Sequence, residues 1–450
     1  MQLHSDTIVA ISTPAGSGAI GVIRLSGPEA IDIAGKVFSR NLEKAAGHTL
    51  HYGNILKNGE ILDEAVAAIF IGPRSYTKED VVEFSCHGSP YILREVLMLL
   101  VDKGARLAQP GEFTQRAYLN GAMDLAQAEA VADLIASTSA GAHQLAMNQM
   151  RGGISRELKD LREQLLNFTS LIELELDFGE EDVEFADRTQ LSELVVRITE
   201  RLSSLIDSFQ FGNAIKQGVP TVIMGKPNAG KSTLLNTLLN ENRAIVSDIP
   251  GTTRDVIEDR IVIQGIEFRL MDTAGVRETV DQIEAEGVSR TLALAQKASL
   301  VIYIFDRKTD TLEEAQAYLK TADLPESAQI ILLGNKSDLV SDKPNGSFLP
   351  ISAKAHEGID QLRERMVEAV QAFSQHDPDQ AVISNVRHLT ALRKAAAALE
   401  EVQQGLEMGI TGDLLAIDIR TVLHYIGEIT GEISTDEVLG NIFSRFCIGK

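Results

Sequence analysis

The sequence has few cysteines, little positive charge and no long apolar run. Its two cysteines, Cys86 and Cys447, cannot form a disulfide framework. It contains no run of ~18 apolar residues that would predict a membrane span, and its start, MQLHSDTIVAISTPAG, lacks the basic and apolar regions of a secretory signal. We therefore expect a cytoplasmic protein. The formal net charge of −22 argues against broad affinity for nucleic acid, since such binding needs Lys and Arg to neutralise phosphates. An RNA partner has to use a local basic patch.

The length predicts several domains, because a typical domain has about 100 to 200 residues and this chain has 450. Residues 1–120 contain short alternating segments such as AIGVIRLSG and VVEFSCHG, with one clear helix in YILREVLMLLVDKG. These patterns predict an α+β domain. Residues 121–215 change to helical spacing, with apolar residues every three or four positions from Ile154 to Ile172. We therefore expect an all-α helical bundle domain after the first domain.

A block of different character, residues 216–375, interrupts the helical pattern before it resumes in residues 376–450. Short apolar segments such as TVIMG, SLVIYIFD and IILLGN alternate with helical ones. This alternation predicts a mainly parallel α/β sheet. The chain is therefore expected to be multidomain, with an α/β domain inserted into the helical one.

A phosphate-binding motif lies at the start of the inserted block. The segment GKPNAGKS, from Gly225 to Ser232, matches GxxxxGKS and stands between a predicted strand and a predicted helix. Its glycines let the backbone bend until N–H groups face phosphate oxygens, Lys231 reaches the β- and γ-phosphates, and the Ser232 hydroxyl ligates Mg²⁺. We expect a nucleotide site here rather than a glycine turn with a surface lysine. The inserted block is thus predicted to be a Ras-like α/β P-loop G domain.

Two further motifs predict the environment of the terminal phosphate. GTTRD offers Thr253 as a switch threonine for Mg²⁺, and DTAG offers Asp272 near the metal and the Gly275 N–H for the γ-phosphate. Polar motifs that follow successive strands are expected where ligands lie beyond the carboxyl ends of a parallel sheet. The agreement of several motifs is stronger than any single match.

The segment NKSD predicts the base that is bound. Asp338 can accept two hydrogen bonds from the N1 and N2 donors of guanine, which adenine cannot supply, while Asn335 addresses O6 and N7. SAK, residues 352–354, is expected to close over the same base edge. These residues favour a guanine nucleotide over ATP.

The residue after DTAG is not the glutamine that orients the attacking water in Ras-like proteins. It is Val276, which cannot position water, so hydrolysis has to recruit another group. Glu284 is one of several carboxylates that follow. Arg254 and Arg277 are candidates for arginine fingers, although surface ion pairs are their more ordinary role.

Taken together, the sequence resembles the tRNA-modification GTPases of the MnmE/TrmE family over essentially its whole length. The resemblance rests on the interrupted helical domain, the motifs NAGKST, GTTRD, DTAG and NKSD, and the terminal CIGK. It implies GTP hydrolysis that drives modification of wobble uridine, position 34, in certain tRNAs. With a flavin-dependent MnmG-type partner, an aminomethyl or carboxymethylaminomethyl group would be added at C5.

The resemblance also implies that G domains dimerise when nucleotide and K⁺ bind, so that K⁺ replaces an arginine finger. Asn228 matches the K⁺ ligand of the P-loop, and Ser247, Ile249 and Thr252 match the loop that completes the cage. Oxygen donors of this kind suit a hard cation. Glu284 matches the water-orienting acid, which makes it the predicted catalytic residue of hydrolysis.

The GTP contacts predicted from the motifs and the resemblance form one set. They are Asn228, Ala229, Gly230, Lys231, Ser232, Thr233, Ser247, Asp248, Ile249, Pro250, Gly251, Thr252, Thr253, Asp272, Thr273, Ala274, Gly275, Asn335, Lys336, Ser337, Asp338, Ser352, Ala353 and Lys354.

For residues 1–120 the resemblance implies a constitutive homodimer that binds 5-formyltetrahydrofolate or a related one-carbon folate. Arg24 and Glu83 match folate-contacting positions, although the residues alone would indicate ordinary strand charges. A third position, often basic in the family, is Ala122 here, which leaves only a backbone contact.

The chain ends in CIGK, whose cysteine has several possible roles. Glycine and lysine make it a poor prenylation box, and packing behaviour alone favours a buried structural cysteine. The preceding segment predicts a short helix with Ser434 and Glu437 as its capping pair and an apolar stripe at Val438, Ile442 and Phe446. The resemblance instead places Cys447 and Lys450 next to the folate site as functional groups.

Two other functions share these motifs. A GTP-dependent ribosome-assembly switch would carry the same G motifs, usually with a compact basic RNA-binding module, whereas basic residues outside this G domain are scattered. A dimeric signalling scaffold whose folate site senses one-carbon supply is the third alternative.

Overall fold

The computed structural model describes residues 6–177, 187–242, 259–271, 293–325, 328–340, 347–372 and 381–449. Its contacts define two compact units, one of residues 1–132 with 426–450 and the other of residues 133–425. Within the described ranges, no helix is both long and apolar enough to cross a membrane.

The first unit is built on a sheet to which six described strands contribute, in the order β3-β4-β5-β2-β1-β6. Neighbouring strands are antiparallel except for β1 and β6, which are parallel. The strands are β1 (Ile8–Ile11), β2 (Ile20–Ser26), β3 (Thr49–Lys57), β4 (Glu60–Phe70), β5 (Val81–His87) and β6 (Arg106–Leu107).

Two helices, α1 (Ala30–Gly35) and α2 (Pro90–Asp102), cover one face of this sheet. Two more follow in the chain, α3 (Glu112–Leu119) and α4 (Leu125–Ala136), and α3 packs through Phe113 on the other face. Ile33 of α1 and Val96 of α2 pack into the same core as Ile23 and Phe84 of the sheet, and all four side chains are fully buried. The predicted α+β domain is confirmed, and β3, β6, α1 and α3 add to the elements seen in the sequence.

Long helices form part of the second unit. They are α5 (Ala140–Met150), α6 (Gly153–Asp177), α7 (Arg188–Asp207), α8 (Phe209–Gln217), α12 (Val386–Met408) and α13 (Gly412–Thr430), of which residues 426–430 belong to the first unit. The predicted apolar stripe of α6 is confirmed, since Ile154, Leu158, Leu165 and Ile172 are buried. An ion pair joins α6 to α7, because Arg201 Nη2 donates to Glu157 Oε2 at 2.8 Å.

The G domain occupies the middle of the second unit and has the predicted parallel sheet. The described strands pair in the order β12-β11-β10-β7-β9-β8, and only the β8–β9 pair is antiparallel. The elements are β7 (Val219–Met224), α9 (Lys231–Asn242), β8 (Asp259–Ile263), β9 (Ile266–Met271), β10 (Leu300–Asp306), α10 (Leu312–Thr321), β11 (Gln329–Asn335), β12 (Leu349–Pro350) and α11 (Ile359–Gln371). Every residue of β10 is buried, as expected for a central parallel strand covered on both faces.

The last helix, α14 (Asp436–Phe443), belongs to the first unit and contacts α3. The predicted capping pair is wrong, because Thr435 is the N-cap and its hydroxyl accepts from the Val438 N–H at 3.3 Å. Glu437 is then the second helical residue, one position too early for a capping box. Of the predicted stripe Phe446 is buried, whereas Val438 is exposed, and Leu439 and Phe443 form the buried face of the helix.

Candidate functional site

The phosphate loop between β7 and α9 has the geometry that its motif predicts. Gly225 and Gly230 have φ angles of +155° and +105°. A Cβ at Gly225 would clash with the Ile304 carbonyl, and one at Gly230 would clash with the Asn335 side chain. Only glycine fits at either position, so the loop is held tightly against the ends of β10 and β11.

The lysine of the loop folds back over it. The Lys231 ammonium donates to the carbonyls of Gly225 at 2.8 Å and Lys226 at 2.9 Å. Burial lowers the pKa of Lys231, because the charged form loses water. Ser232 and Thr233 follow in the first turn of α9, whose N-terminus favours anions. The arrangement suits a phosphate chain.

Asn335 connects three segments of the predicted site. Its side-chain nitrogen donates to the Ala229 carbonyl at 2.7 Å, and its side-chain oxygen accepts from the Ala353 N–H at 3.0 Å. Thr237 of α9 donates to the Ala353 carbonyl at 3.0 Å. The structure therefore brings the P-loop, NKSD and SAK motifs together through one buried amide.

Lys336 and Ser337 are fixed by residues at the end of β10. Lys336 has a φ of +61°, and its ammonium donates to Asp306 Oδ2 at 2.6 Å. Burial opposes ionisation of Asp306, but hydrogen bonds from Lys336 and the Lys308 backbone hold its pKa below the usual value. The Arg307 guanidinium donates to the Ser337 hydroxyl at 3.0 Å. Asp306 was missed by the sequence reasoning, although it ends the SLVIYIFD strand.

Asp338 is exposed, in contrast to Asn335. Within the described part of the chain, its carboxylate has no hydrogen-bond partner. It lies in the single 3₁₀ turn that follows β11. An acceptor left free beside an ordered loop is what recognition of the guanine N–H donors requires.

The SAK motif is mostly internal. Ser352 and Ala353 are buried, and the Ser352 hydroxyl accepts from the Ala355 N–H at 3.2 Å, whereas Lys354 is exposed. Lys354 therefore carries the exposed side chain of the motif, while the Ser352 hydroxyl accepts a hydrogen bond within the turn.

The remaining predicted residues lie outside the described residues. They are Ser247, Asp248, Ile249, Pro250, Gly251, Thr252, Thr253, Asp272, Thr273, Ala274, Gly275, Val276, Glu284 and Lys450, together with Arg254 and Arg277.

A second group of predicted residues meets on the sheet of the first unit. Arg24 of β2 and Glu83 of β5 are directly opposite one another, and Arg24 Nε donates to Glu83 Oε1 at 2.7 Å. The Arg24 guanidinium also lies over the rings of Tyr76 and Phe113, at 5.3 and 5.6 Å from their centroids. Tyr76 and Phe113 were not found from the sequence, because nothing local marks them.

Arg24 keeps unused hydrogen-bonding capacity. Its Nη1 is buried and has no hydrogen-bond partner among the described residues. A buried guanidinium N–H without an acceptor is costly unless a ligand supplies one. Ala122 offers less than expected, because its N–H already donates to the Ala117 carbonyl at 2.8 Å.

The C-terminal tail is docked on the same unit. The Ser12 hydroxyl donates to the Gly449 carbonyl at 3.1 Å, and the Gly111 N–H donates to the Cys447 carbonyl at 3.4 Å. Gly449 has a φ of +96°, and a Cβ there would lie 2.5 Å from the Ile11 carbonyl. Cys447 is exposed, so the expectation of a buried packing cysteine is wrong. The Cys447 main chain lies beside Gly111, the N-cap of α3, the helix that carries Phe113.

Comparisons with known proteins cover the whole chain. A model described as the MnmE helical domain matches residues 125–447, and one described as the GTP-binding protein TrmE N-terminus matches residues 7–122. The tRNA modification GTPase MnmE of Cytophaga hutchinsonii is 56% identical over 460 residues, which cover 99% of this chain and 98% of that protein. The protein of the same name from Bacteroides thetaiotaomicron is 50% identical over 469 residues, which cover 100% of both chains.

A solved structure matches the G domain. The FeoB G domain from Methanococcus jannaschii is 25% identical and covers 34% of this chain and 96% of its own, with a TM-score of 0.25. That score is too low to support a conclusion. The two family models and the full-length relatives agree with each other and with the resemblance seen in the motifs. The chain therefore belongs to the MnmE/TrmE family of tRNA modification GTPases.

Proposed function

We propose that this protein hydrolyses GTP and, with a flavin-dependent MnmG-type partner, adds an aminomethyl or carboxymethylaminomethyl group to C5 of the wobble uridine in certain tRNAs. Its full-length similarity to proteins named tRNA modification GTPase carries the proposal. The G site supports it, because the P-loop, NKSD and SAK motifs meet around Asn335. The proposed location is the cytoplasm.

In GTP hydrolysis, the chain would hold the phosphates with the P-loop backbone and with Lys231. Phosphate oxygens can replace the two loop carbonyls that Lys231 now contacts. Ser232 and Thr253 would hold Mg²⁺, and Asn228, Ser247, Ile249 and Thr252 would hold K⁺. These cations would neutralise charge that develops on the phosphates. Glu284 would orient the attacking water, since Val276 cannot.

Guanine recognition would be divided between two residues of NKSD. Asp338 is exposed and able to accept from the base, while Asn335 is already bonded to two backbone groups. The main role of Asn335 is therefore to position the loop and the SAK backbone. Discrimination against adenine would rest on Asp338.

A folate fits the surroundings of Arg24 in chemical terms. Arg24 offers a buried N–H that has no partner among the described residues, Glu83 offers acceptors, and Tyr76 and Phe113 offer aromatic surface. Folates combine a donor-rich pterin ring with carboxylates, which matches this mixture of groups. Bound there, a one-carbon folate would supply the carbon, and Lys450 and Cys447 would approach it from the docked tail.

A second copy of the chain would cover the sheet face that carries Arg24. Leu50, Ala68, Glu83 and Arg24 lie opposite one another across β3, β4, β5 and β2, so their side chains share one face. Leu50 is 73% exposed, and Tyr52, two residues further along β3, is 57% exposed. Large exposed apolar side chains at a sheet edge indicate an interface, which supports the proposed homodimer.

Nucleoside mass spectrometry of total tRNA tests the proposal. Cells that lack this protein are complemented with the full chain or with Lys231→Ala, which removes the phosphate-binding ammonium. We expect the modified wobble uridine to disappear in the deletion and to return only with the full chain. Intact modification in the deletion, together with co-sedimentation of the protein with ribosomal subunits, would favour the ribosome-assembly switch.

A further inference from the structure

A buried carboxylate joins the G domain to the helical part of the second unit. Glu267 of β9 is only 3% exposed. Its Oε2 accepts from the hydroxyl of Thr138, in the turn before α5, at 2.5 Å. Its Oε1 accepts from Arg260 Nη1 of β8 at 3.0 Å. A charge buried this deeply needs such partners, so its position depends on both domains.

A backbone contact lies beside this carboxylate. The Gly141 N–H in the first turn of α5 donates to the Gly265 carbonyl at 2.9 Å. A Cβ at Gly141 would lie 2.9 Å from that carbonyl and 3.3 Å from Ile215 of α8. Gly265 and Gln264 form the β8–β9 turn with φ angles of +82° and +48°. Because Gly141 and Gly265 both lack side chains, their backbones meet directly, and a shift of the turn displaces the helix.

The hairpin has a particular place in the sequence. GTTRD ends four residues before β8, and Asp272 of DTAG directly follows β9. These motifs are the ones that respond to the terminal phosphate in GTPases. β9 also pairs with β7, the strand that leads into the P-loop. The β8–β9 hairpin therefore connects the phosphate-sensing motifs to α5.

We propose that the Glu267–Thr138 and Gly141–Gly265 contacts, here called the hairpin clasp, transmit the nucleotide state of the G domain to the helical part. This inference rests on the proposed function. Glu267 and Thr138 are positioning residues, because the clasp lies on the helical side of the hairpin rather than at the phosphate loop. Breaking the clasp would uncouple GTP hydrolysis from tRNA modification without impairing hydrolysis itself.

Hydrogen exchange of the Gly141 amide tests the clasp directly, because that N–H is one of its bonds. The full chain is compared with bound GDP and with a non-hydrolysable GTP analogue. We expect the exchange rate to differ about fivefold or more between the two states, the lower end of coupling between linked sites. In Thr138→Val, which removes only the hydroxyl donor, that difference disappears. If the Thr138–Glu267 bond were purely structural, Thr138→Val would instead raise the Gly141 exchange rate equally with GDP and with the GTP analogue.

Activity measurements complete the test with a matched control. Thr390→Val removes another exposed threonine hydroxyl, which donates to the Val386 carbonyl within α12 at 2.9 Å. We expect Thr138→Val to keep GTP turnover but to lose most wobble modification, Thr138→Ser to restore it, and Thr390→Val to keep both. If Thr138→Val keeps modification, or loses turnover in proportion, the proposal is wrong.

Failure of the proposed function gives a result different from failure of the hairpin clasp. If the unmodified chain does not restore wobble modification, the function assigned above fails, whereas nucleotide-dependent exchange at Gly141 still reports coupling. If exchange at Gly141 is the same with GDP and the GTP analogue while modification is intact, the clasp is overturned and the function stands.

Discussion

Asn335 and Asp338 belong to one motif but are predicted to fail differently when mutated. Asn335→Ala removes the amide that bonds the Ala229 carbonyl and the Ala353 N–H, and both alanines are about 1% exposed. A buried backbone group left without a partner costs about 1–3 kcal/mol. Two such groups should therefore destabilise the G domain by roughly 2–6 kcal/mol. Nucleotide affinity falls as a consequence.

Asp338→Asn should leave stability within about 0.5 kcal/mol, because the exposed carboxylate has no hydrogen-bond partner within the described ranges. It should weaken GTP binding through the loss of two charge-assisted hydrogen bonds, at about 1.5–3 kcal/mol each. That corresponds to a loss of roughly 10²- to 10⁴-fold in affinity. Xanthine nucleotide should gain affinity, since xanthine carries a carbonyl where guanine carries an amino group.

The assay combines urea unfolding, followed by amide exchange in β11 and α9, with calorimetric titration of GTP and XTP. Asn236→Ala, an exposed substitution on α9, is the control for loss of an asparagine. If Asn335→Ala unfolds at the same urea concentration as the control, the hydrogen bonds of its amide to Ala229 and Ala353 do not stabilise the G domain, and the prediction is wrong. If Asp338→Asn is destabilised, the carboxylate has a structural role in addition to guanine recognition.

Three further predictions concern other groups. If K⁺ replaces an arginine at the phosphates, GTP turnover should be at least about tenfold faster in K⁺ than in Na⁺ at equal ionic strength, and equal rates would exclude a cage at Asn228. Cys447→Ser should keep GTP turnover and lose wobble modification, as measured by nucleoside mass spectrometry; unchanged modification would remove the thiol from the mechanism. Burial opposes ionisation of Asp6, but hydrogen bonds from Arg106 and Arg116 lower its pKa to about 2. Its stabilisation is therefore present above pH ~4 and lost as the pH falls towards 2, and it is worth ~1 kcal/mol after solvent screening. Asp6→Asn should flatten the acid-unfolding curve in that window.

The G domain was the most predictable part, because each of its motifs specifies backbone and chemistry within a few residues. Gly225, Gly230 and Lys231 are placed by strand, turn and helix patterns that a short window contains. The role of Asn335 in linking the P-loop to the SAK motif could not be predicted. Its partners Ala229 and Ala353 lie 106 and 18 residues away, and neither carries a polar side chain that would mark the contact.

Sequence patterns also place helix ends only to within about one residue. The α14 cap is Thr435 rather than Ser434, and both residues are ordinary N-caps on composition. The contacts of Arg24 with the rings of Tyr76 and Phe113 show the same limit over a longer range. A strand pattern predicts which face Arg24 occupies, but the aromatic residues that meet it come from elements whose packing no local pattern encodes.

The docked tail also decides which variant can test the chemistry of Cys447. Removing residues 447–450 would delete the acceptors of the Ser12 hydroxyl and the Gly111 N–H, so a loss of modification could reflect a displaced tail. Both bonds use main-chain carbonyls, at Gly449 and Cys447, and Cys447→Ser keeps both. The side chain itself is exposed, so the substitution leaves no buried cavity. A loss of modification in Cys447→Ser is therefore attributable to the sulfur, whereas the same loss on truncation is not.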